Sequence, residues 1–438
     1  MSSQFSLFKT RRFGAMFATQ FLGAFNDNVF KQALILVLTY TAAAKIGASV
    51  SLLNNLAAML FILPYFLFSA LAGQIADKYE KSRLTRGIKL LEIIIMTLSA
   101  VGFIFEVYTL LFVALFLMGT HSTFFGPIKY AYLPEVMHKD ELVGANGLFQ
   151  TGTSLAILTG MMLAGVLTQL DNSLMWIAFI TLMIAVLGFI ASCFLPTVPP
   201  HAPNLNINYN IFQTSFNLIK YLYSLPLLYF IILGNSWFWF YGATFLTQTP
   251  EFSKVILHGN ESVVILLLTL FSVGTAIGSL LCKTLTKNQI SLKLLPIGMI
   301  GLSIFAIDLY LSLNGIHIPA TSDGTTYNIS QLINIDGSIR VFADLFLLGL
   351  SGGIYIVPLY ACMQAYSPIN HRSRIVGVNN IFNALFMVSS AIFSIVILAV
   401  FQLSIPHLFL ITGILNAVFG LFLYKKLMQH QNSMEIST

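Results

Sequence analysis

The sequence predicts an all-α polytopic membrane protein with twelve transmembrane helices in two six-helix halves. Composition is the first reason: of 438 residues, 57% are hydrophobic and only 9% are charged, whereas soluble domains carry roughly 25% charged residues. The second is the length of the apolar segments, most of which reach the about 20 residues that a helix needs to cross a bilayer. The third is that lysine and arginine residues cluster in short links between these segments.

Each apolar segment is interpreted as one membrane span. The predicted spans are residues 13–42, 50–76, 86–107, 109–131, 143–168, 174–195, 224–246, 261–283, 293–313, 339–361, 375–402 and 406–427. The longest polar link contains four prolines and separates the sixth span from the seventh. We therefore predict an N-terminal six-helix bundle at 1–195, a cytoplasmic connector at 196–223 and a C-terminal six-helix bundle at 224–438.

The basic residues predict the orientation of the chain. Of the 22 lysine and arginine residues, 18 fall on one side of the predicted topology, with Lys89 assigned to the link after the second span and Lys129 to the link after the fourth. Cytoplasmic links are enriched in lysine and arginine, so both termini are expected in the cytoplasm. The net charge of +6 thus reflects topology, and we expect no nucleic-acid partner because no basic domain is present.

A faint internal repeat supports two similar halves. Pro127 follows Gly126 near the end of the fourth predicted span. Pro358 occupies the matching place near the end of the tenth predicted span, 231 positions later. Asn146 and Asn379 follow these prolines and are 233 positions apart. Parallel six-helix repeats are typical of one large group of transporters. Twelve spans in two repeated halves are similar to the major facilitator fold.

The link after the second predicted span carries a recognisable pattern. It reads GQIADKYEKSR from Gly73 to Arg83, which resembles the major facilitator signature G-x-x-x-D-[RK]-x-x-[RK]-x-[RK]. That resemblance implies a gating role: Gly73 permits close helix approach, and Asp77, with Lys78 and Arg83, contributes to a cytoplasmic charge latch. The alternative is an ordinary basic loop on the cytoplasmic side.

Ionisable residues inside the spans are candidate binding residues, because a charge at the bilayer centre costs about 2.5–3.5 kcal/mol. Asp27 lies near the middle of the first span and Lys31 one turn further on the same face. We expect the two side chains either to form an internal ion pair or, together with Asn28, to form a site for substrate or an ion. His121 lies at similar depth in the fourth span, where it predicts a proton site or a hydrogen-bonded packing residue.

Polar and aromatic residues in two later spans predict a pocket wall. Candidates in the seventh span are Asn235, Trp237 and Trp239, and those in the eleventh are Asn379 and Asn383. The alternative is that these amides join helices through hydrogen bonds. Charged residues nearer the span ends are interpreted as structural or gating pairs: Glu92, Asp308, and Arg340 with Asp344 at a spacing of four.

Two common catalytic motifs are missing from the sequence. It contains no G-x-x-x-x-G-K-[ST] phosphate loop and no H-E-x-x-H. The three cysteines are far apart and lack metal-ligand spacing. We therefore predict that the protein is not an enzyme and uses no cofactor or metal.

Several longer runs are more specific than a twelve-span pattern. They are TQFLGAFNDNVFK at 19–31, FFGPIKY at 124–130 with LPE at 133–135, ELVGANG at 141–147 and NSWFWF at 235–240. Together they resemble the bacterial lysophospholipid transporter family of the major facilitator superfamily. The likeness covers mainly the first half and the seventh span.

This resemblance implies a flippase for lysophospholipids such as lysophosphatidylethanolamine. It would move them from the outer to the inner leaflet of a Gram-negative inner membrane, where an acyltransferase–acyl carrier protein synthetase, expected here as a separate partner, re-esterifies them. A polar centre of Asp27, Asn28, Lys31 and His121 would meet the head group, and phenylalanine-rich walls the acyl chain. Coupling to protons or sodium and facilitated transport both stay open. The alternatives are transport of another amphiphile, such as a drug or muropeptide, and a membrane scaffold for an acyltransferase.

Overall fold

Helices build the protein, as the sequence predicts. The computed structural model describes residues 4–42, 45, 47, 49–316, 318 and 326–437. We number the α-helices of this part in chain order: α1 Arg11–Val37, α2 Val50–Lys78, α3 Lys81–Ile104, α4 Tyr108–Val136, α5 Leu142–Thr168, α6 Ser173–Cys193, α7 Ile211–Tyr223, α8 Pro226–Glu251, α9 Glu261–Leu285, α10 Leu295–Gly315, α11 Ile329–Ile333, α12 Ser338–Tyr366, α13 Arg372–Ile395 and α14 Ile405–Ser437.

The number of membrane spans agrees with the prediction. Among the described residues, 11 helices are long and apolar enough to cross a membrane, and the number rises to 12 if a bent pair counts as one span. That pair is Ile211–Tyr223 with Pro226–Ile256, whose axes differ by 114°. The seventh predicted span, 224–246, thus corresponds to α8. The amphipathic helix α7, which lies in the predicted connector, precedes it.

Two helices extend further into the polar links than their hydropathy indicates. Helix α3 begins at Lys81 instead of residue 86, because the Glu80 carboxylate caps it by accepting from the backbone N–H groups of Ser82 and Arg83 at 2.8 and 3.0 Å. Helix α4 continues to Val136. The assignment of Lys89 and Lys129 to links is therefore wrong, since both lie inside helices.

The chain divides into two compact units. The first consists of Met1–Ala145, Leu155–Ser224 and Tyr366–Ala384, and the second of Asn146–Ser154, Leu225–Ala365 and Leu385–Thr438. The domain boundaries at 1–195, 196–223 and 224–438 stay a prediction.

The first unit is built around an apolar core to which α1, α2, α3, α4, α5 and α6 contribute. In this core α2 packs against α4, while α3 packs against both α4 and α6. Fully buried members include Phe30, Met96 and Leu115. Polar side chains enclosed by such a core must find partners within the protein, and the candidate site below consists of them.

The second unit contains a close helix pair that we call the glycine seam, formed by Gly274 and Gly278 on α9 with Gly349 and Gly353 on α12. A Cβ atom on Gly278 would lie 2.0 Å from the Leu350 carbonyl oxygen, and one on Gly353 would lie 2.3 Å from the Thr275 carbonyl oxygen. No side chain fits at such distances. The seam therefore brings two backbones into direct contact, as small residues at a spacing of four allow.

The predicted connector is attached to the ends of α2 and α3. The Ala202 N–H donates to the Asp77 carbonyl oxygen at 3.1 Å, and the Val198 N–H donates to the Glu80 carboxylate at 3.3 Å. Asn208 exchanges two hydrogen bonds with the Gln74 side chain at 3.0 and 3.2 Å. These contacts hold the connector against the first unit.

Candidate functional site

Asp27 on α1 is the central carboxylate of the candidate site. The Ser122 hydroxyl of α4 donates to its Oδ2 atom at 2.6 Å. Its Oδ1 atom is buried and has no hydrogen-bond partner among the described residues. Because buried carboxylate oxygens are normally satisfied, this oxygen is available to a cation or to a donor on a ligand.

Lys31 does not form the expected ion pair with Asp27. Among the described residues the ion pairs include none that joins these two side chains. The Lys31 ammonium instead lies 5.2 Å from the centre of the Phe61 ring, a cation–π contact. Asp27 and Lys31 therefore present two separate charges one helical turn apart.

Asn28 contacts its own helix more than the site. Its Nδ2 atom donates to the Ala24 carbonyl oxygen at 2.7 Å, and its Cβ lies beside Gly160 of α5, where an added Cβ would approach it to 3.0 Å. This contact helps α1 and α5 to pack closely.

A buried charge network adjoins Asp27, and the sequence interpretation missed it. Glu92 on α3 pairs with Lys89 at 2.6 Å, accepts from Asn26 Nδ2 at 2.8 Å and lies 3.3 Å from His121 Nε2. All four side chains are buried. Glu92 is thus a link between α1, α3 and α4 in the interior of the first unit.

Space for this network comes from a glycine. A Cβ on Gly23 would lie 2.6 Å from the Lys89 Nζ atom, so a larger residue would displace the ammonium. The sequence signal was the spacing of three between Lys89 and Glu92, which places them on one helix face. It was hidden because α3 was predicted to start five residues late, which put Lys89 close to a link.

The predicted cytoplasmic latch is centred on Asp77. Its carboxylate accepts from the backbone N–H of Ser373 at 2.9 Å and from the Nε and backbone N–H of Arg374 at 2.9 and 3.3 Å. These donors belong to the first turn of α13, where backbone N–H groups lack intrahelical partners and favour a negative charge. Gly73 permits the approach, because a Cβ there would lie 2.7 Å from the Arg374 Cα.

Lys78 and Arg83 do not join this arrangement. The Lys78 ammonium lies 5.7 Å from the centre of the Tyr79 ring, while the Arg83 side chain is 85% exposed and lies 3.8 Å from Glu80. Behind them, Lys81 pairs with Glu135 at 2.8 Å, and His201 of the connector lies 3.3 Å from the same oxygen. The buried positive charge near the latch is thus on Lys81.

The predicted pair of Arg340 and Asp344 is corrected by the structure. Arg340 forms its ion pair with Asp308 of α10, whereas Asp344 is buried and accepts from the Ser312 hydroxyl at 3.4 Å. The carboxylate that Arg340 contacts is therefore the one on the neighbouring helix. A spacing of four alone could not reveal this choice.

The aromatic candidates of α8 lie in the second unit. Trp237 is buried, donates through Nε1 to Asn416 Oδ1 at 2.8 Å and stacks on Phe419 with ring centres 4.4 Å apart. Trp239 Nε1 lies 3.4 Å from the Tyr360 hydroxyl. Asn235 Nδ2 points to the Met363 sulfur at 3.6 Å. These contacts favour the helix-packing alternative for Trp237.

The asparagines of α13 are all buried. Asn379 is 0% exposed and Asn383 9% exposed. Asn380, between them, lies against Gly126 of α4, where a Cβ would be 2.6 Å from its Nδ2 atom.

The acidic and imidazole groups of these residues do not form a larger ligand cluster in the described part of the chain. Within the described ranges that were searched, no group of three or more histidine, cysteine, aspartate or glutamate side chains is arranged to hold a metal ion. The arrangement around Asp27 offers one free carboxylate oxygen with hydroxyl, imidazole and ammonium groups nearby. Such a set suits a polar or zwitterionic ligand.

The chain is similar to known proteins. The family model described as Major Facilitator Superfamily matches residues 16–321. A protein named Lysophospholipid transporter LplT from Klebsiella pneumoniae (strain 342) is 27% identical over 360 residues, covering 80% of this chain and 79% of the relative. Its namesake from Escherichia coli O157:H7 is 26% identical over 359 residues with the same coverage.

Two solved structures share the fold. The human organic anion transporter MFSD10 (TETRAN) superposes with a TM-score of 0.69 at 14% identity, covering 94% of this chain and 98% of that chain. A bacterial homologue of the iron transporter ferroportin in an outward-facing state gives a TM-score of 0.63 at 14% identity, covering 94% and 99%. At this level of identity the likeness concerns the fold alone.

Proposed function

This chain belongs to the Major Facilitator Superfamily, and from that premise we propose that it transports lysophospholipids. The substrate class is supported by relatives named as lysophospholipid transporters that align over 80% of the chain. The structural observation that carries the proposal is the half-satisfied Asp27 carboxylate, placed within a membrane-spanning bundle. A carboxylate in that position is costly, and ionisable residues within membrane spans typically mark functional sites.

The proposed direction is from the outer to the inner leaflet of a bacterial inner membrane, by alternating access, with both termini in the cytoplasm. An acyltransferase–acyl carrier protein synthetase would then re-esterify the lysophospholipid. The basic residues of the links support this orientation.

Asp27 is the proposed head-group contact. Its free Oδ1 atom would accept from the ammonium of an ethanolamine head group, a charge-assisted hydrogen bond. The Lys31 ammonium, which lacks a carboxylate partner among the described residues, would attract the phosphate on the outer side. His121 is proposed to act indirectly, because it is buried beside Glu92.

Transport is proposed to be facilitated or assisted by an ion. Re-acylation removes the product in the cytoplasm and thereby draws substrate inward without a coupling ion. Asp27 is the proposed place for a proton or sodium ion if coupling occurs.

Uptake of labelled lysophosphatidylethanolamine into spheroplasts tests the proposal. We expect uptake that depends on the protein and is lost in Asp27→Asn, with normal uptake by Asp140→Asn, which removes an exposed carboxylate from a link. Parallel samples with the proton or the sodium gradient collapsed identify any coupling ion. Absence of protein-dependent uptake in every condition would contradict the proposal and favour another amphiphile.

A further inference from the structure

Lys129 on α4 is a positive charge inside a membrane-spanning helix without a counter-charge in contact. Among the described residues it takes part in no ion pair. Its Nζ atom lies 5.0 Å from the centre of the Tyr130 ring and 5.9 Å from that of Phe125. The residue as a whole is partly exposed.

An unsatisfied donor lies on the same face of α4. Asn380 is 8% exposed, and its buried Nδ2 atom has no acceptor within the described part of the chain. This atom lies against Gly126, three residues before Lys129 and therefore on the same side of the helix. Buried donors without an acceptor call for an explanation. A lysine and an amide N–H, both donors, together suit an anion.

The position of this donor pair relative to Asp27 is informative. Lys129 lies seven residues beyond Ser122, the partner of Asp27, or about 10 Å along α4. Lys31 lies four residues beyond Asp27, or about 6 Å along α1. Consecutive spans alternate in direction and α1 and α4 are three spans apart, so these displacements are opposite. The order across the bundle is cation, carboxylate, cation.

We infer that Lys129 and Asn380 form a second phosphate-binding position, which receives the head-group phosphate after it has passed Asp27. This inference rests on the proposed lysophospholipid transport and adds a substrate requirement. When the phosphate is bound at Lys31 or at Lys129, the ammonium of the same head group can still reach Asp27. One head group can therefore exchange phosphate partners while its ammonium stays bound to Asp27. Amphiphiles without phosphate do not use the second position.

Binding by the purified, full-length protein in detergent tests the inference directly. The ligands are lysophosphatidylethanolamine, a monoacylglycerol with the same acyl chain, and inorganic phosphate, each titrated against the thermal unfolding midpoint. We expect Lys129→Gln to weaken lysophosphatidylethanolamine binding about ten- to hundredfold, the usual effect of losing a hydrogen bond to a charged group. Monoacylglycerol binding should be unchanged.

Three further variants separate this site from general damage. Lys129→Arg keeps the charge and should retain most of the affinity, whereas the near-isosteric Asn380→Asp places a negative charge beside the phosphate and should abolish the preference over monoacylglycerol. Lys139→Gln removes an exposed lysine from the following link and should bind like the unchanged protein.

The outcomes distinguish this inference from the proposed function. Normal uptake by the unchanged protein, with Lys129→Gln indistinguishable from Lys139→Gln, would overturn the phosphate position and leave transport standing. Protection by inorganic phosphate alone, at concentrations that match the lipid, would show a site for the free ion and would also overturn it. Binding that depends on Lys129, but without any uptake, would support the position and contradict the transport proposal.

Discussion

Asp77 and Arg374 are 297 positions apart in the sequence, yet the guanidinium Nε of Arg374 donates to the Asp77 carboxylate at 2.9 Å. The same carboxylate accepts hydrogen bonds from two backbone N–H groups in the first turn of α13. One side chain therefore both neutralises a basic residue and caps a helix.

Removing the charge of Asp77 should loosen the start of α13. We expect Asp77→Asn to lower the free energy of unfolding by about 2 kcal/mol, because hydrogen bonds to a charged acceptor are lost. Amide exchange at Ser373 and Arg374 should accelerate. Arg83→Gln is the control, since its side chain is 85% exposed and its loss should change neither quantity. Equal amide exchange in Asp77→Asn and the unchanged protein would refute the latch.

Breaking the buried pair of Lys89 and Glu92 should be costly. Glu92→Leu leaves the Lys89 ammonium buried without a carboxylate, which typically destabilises a protein by about 3–5 kcal/mol. The double variant Lys89→Met with Glu92→Leu removes both charges and should recover most of that loss. Thermal unfolding in detergent provides the measurement. A double variant as unstable as Glu92→Leu would show that the unpaired Lys89 ammonium does not cause the loss.

Trp237 should affect stability more than transport. Trp237→Phe keeps the stacking on Phe419 but leaves Asn416 Oδ1 without its indole donor, a loss of about 1–3 kcal/mol for a buried acceptor. Uptake per folded molecule should stay normal. Trp176→Phe, at a residue that is 46% exposed, should change neither quantity. A selective loss of lysophospholipid affinity in Trp237→Phe would restore this residue to the binding site.

The cap on α3 should respond to acid. Burial raises the pKa of Glu80, but hydrogen bonds from Ser82, Val198 and Arg83 outweigh it and hold the pKa below its ordinary value of 4.5. The cap is therefore fully present above pH 4.5 and is lost as the pH falls through the lowered pKa. Amide protection of Val198 and Ser82 should decrease in that range. In Glu80→Gln this step should be absent, and its persistence would mean that another group titrates.

The sequence predicts the helical class and the span number well, because both depend on composition and on the length of apolar runs. It predicts partners poorly. Nothing in the sequence around Asp77 identifies Arg374 as its partner, because the two residues are 297 positions apart. Lys89 was assigned to a link because the apolar segment ends where charged residues begin. Helix α3 nevertheless includes these charged residues, because the Glu80 cap starts it at Lys81. The length of apolar segments therefore does not predict buried charged residues that pair with residues on other helices.

The same limit applies to aromatic residues. Trp237 and Trp239 are two positions apart, and the sequence does not distinguish their roles. Their indole N–H groups nevertheless donate to different helices, Trp237 to Asn416 on α14 and Trp239 to Tyr360 on α12. Which face of α8 each residue occupies depends on helix packing in the second unit. Spacing on one helix contains no information about the neighbouring helix.

The glycine seam has a mechanical consequence. Where α9 and α12 touch backbone to backbone, no layer of side chains lies between them that could yield or slide by changing rotamers. Two helices joined along their length resist bending far more than two separate helices, so this pair acts as one rigid element of the second unit. Any motion of that unit during a transport cycle must move the pair as one piece, and bending is then confined to the helix ends and links.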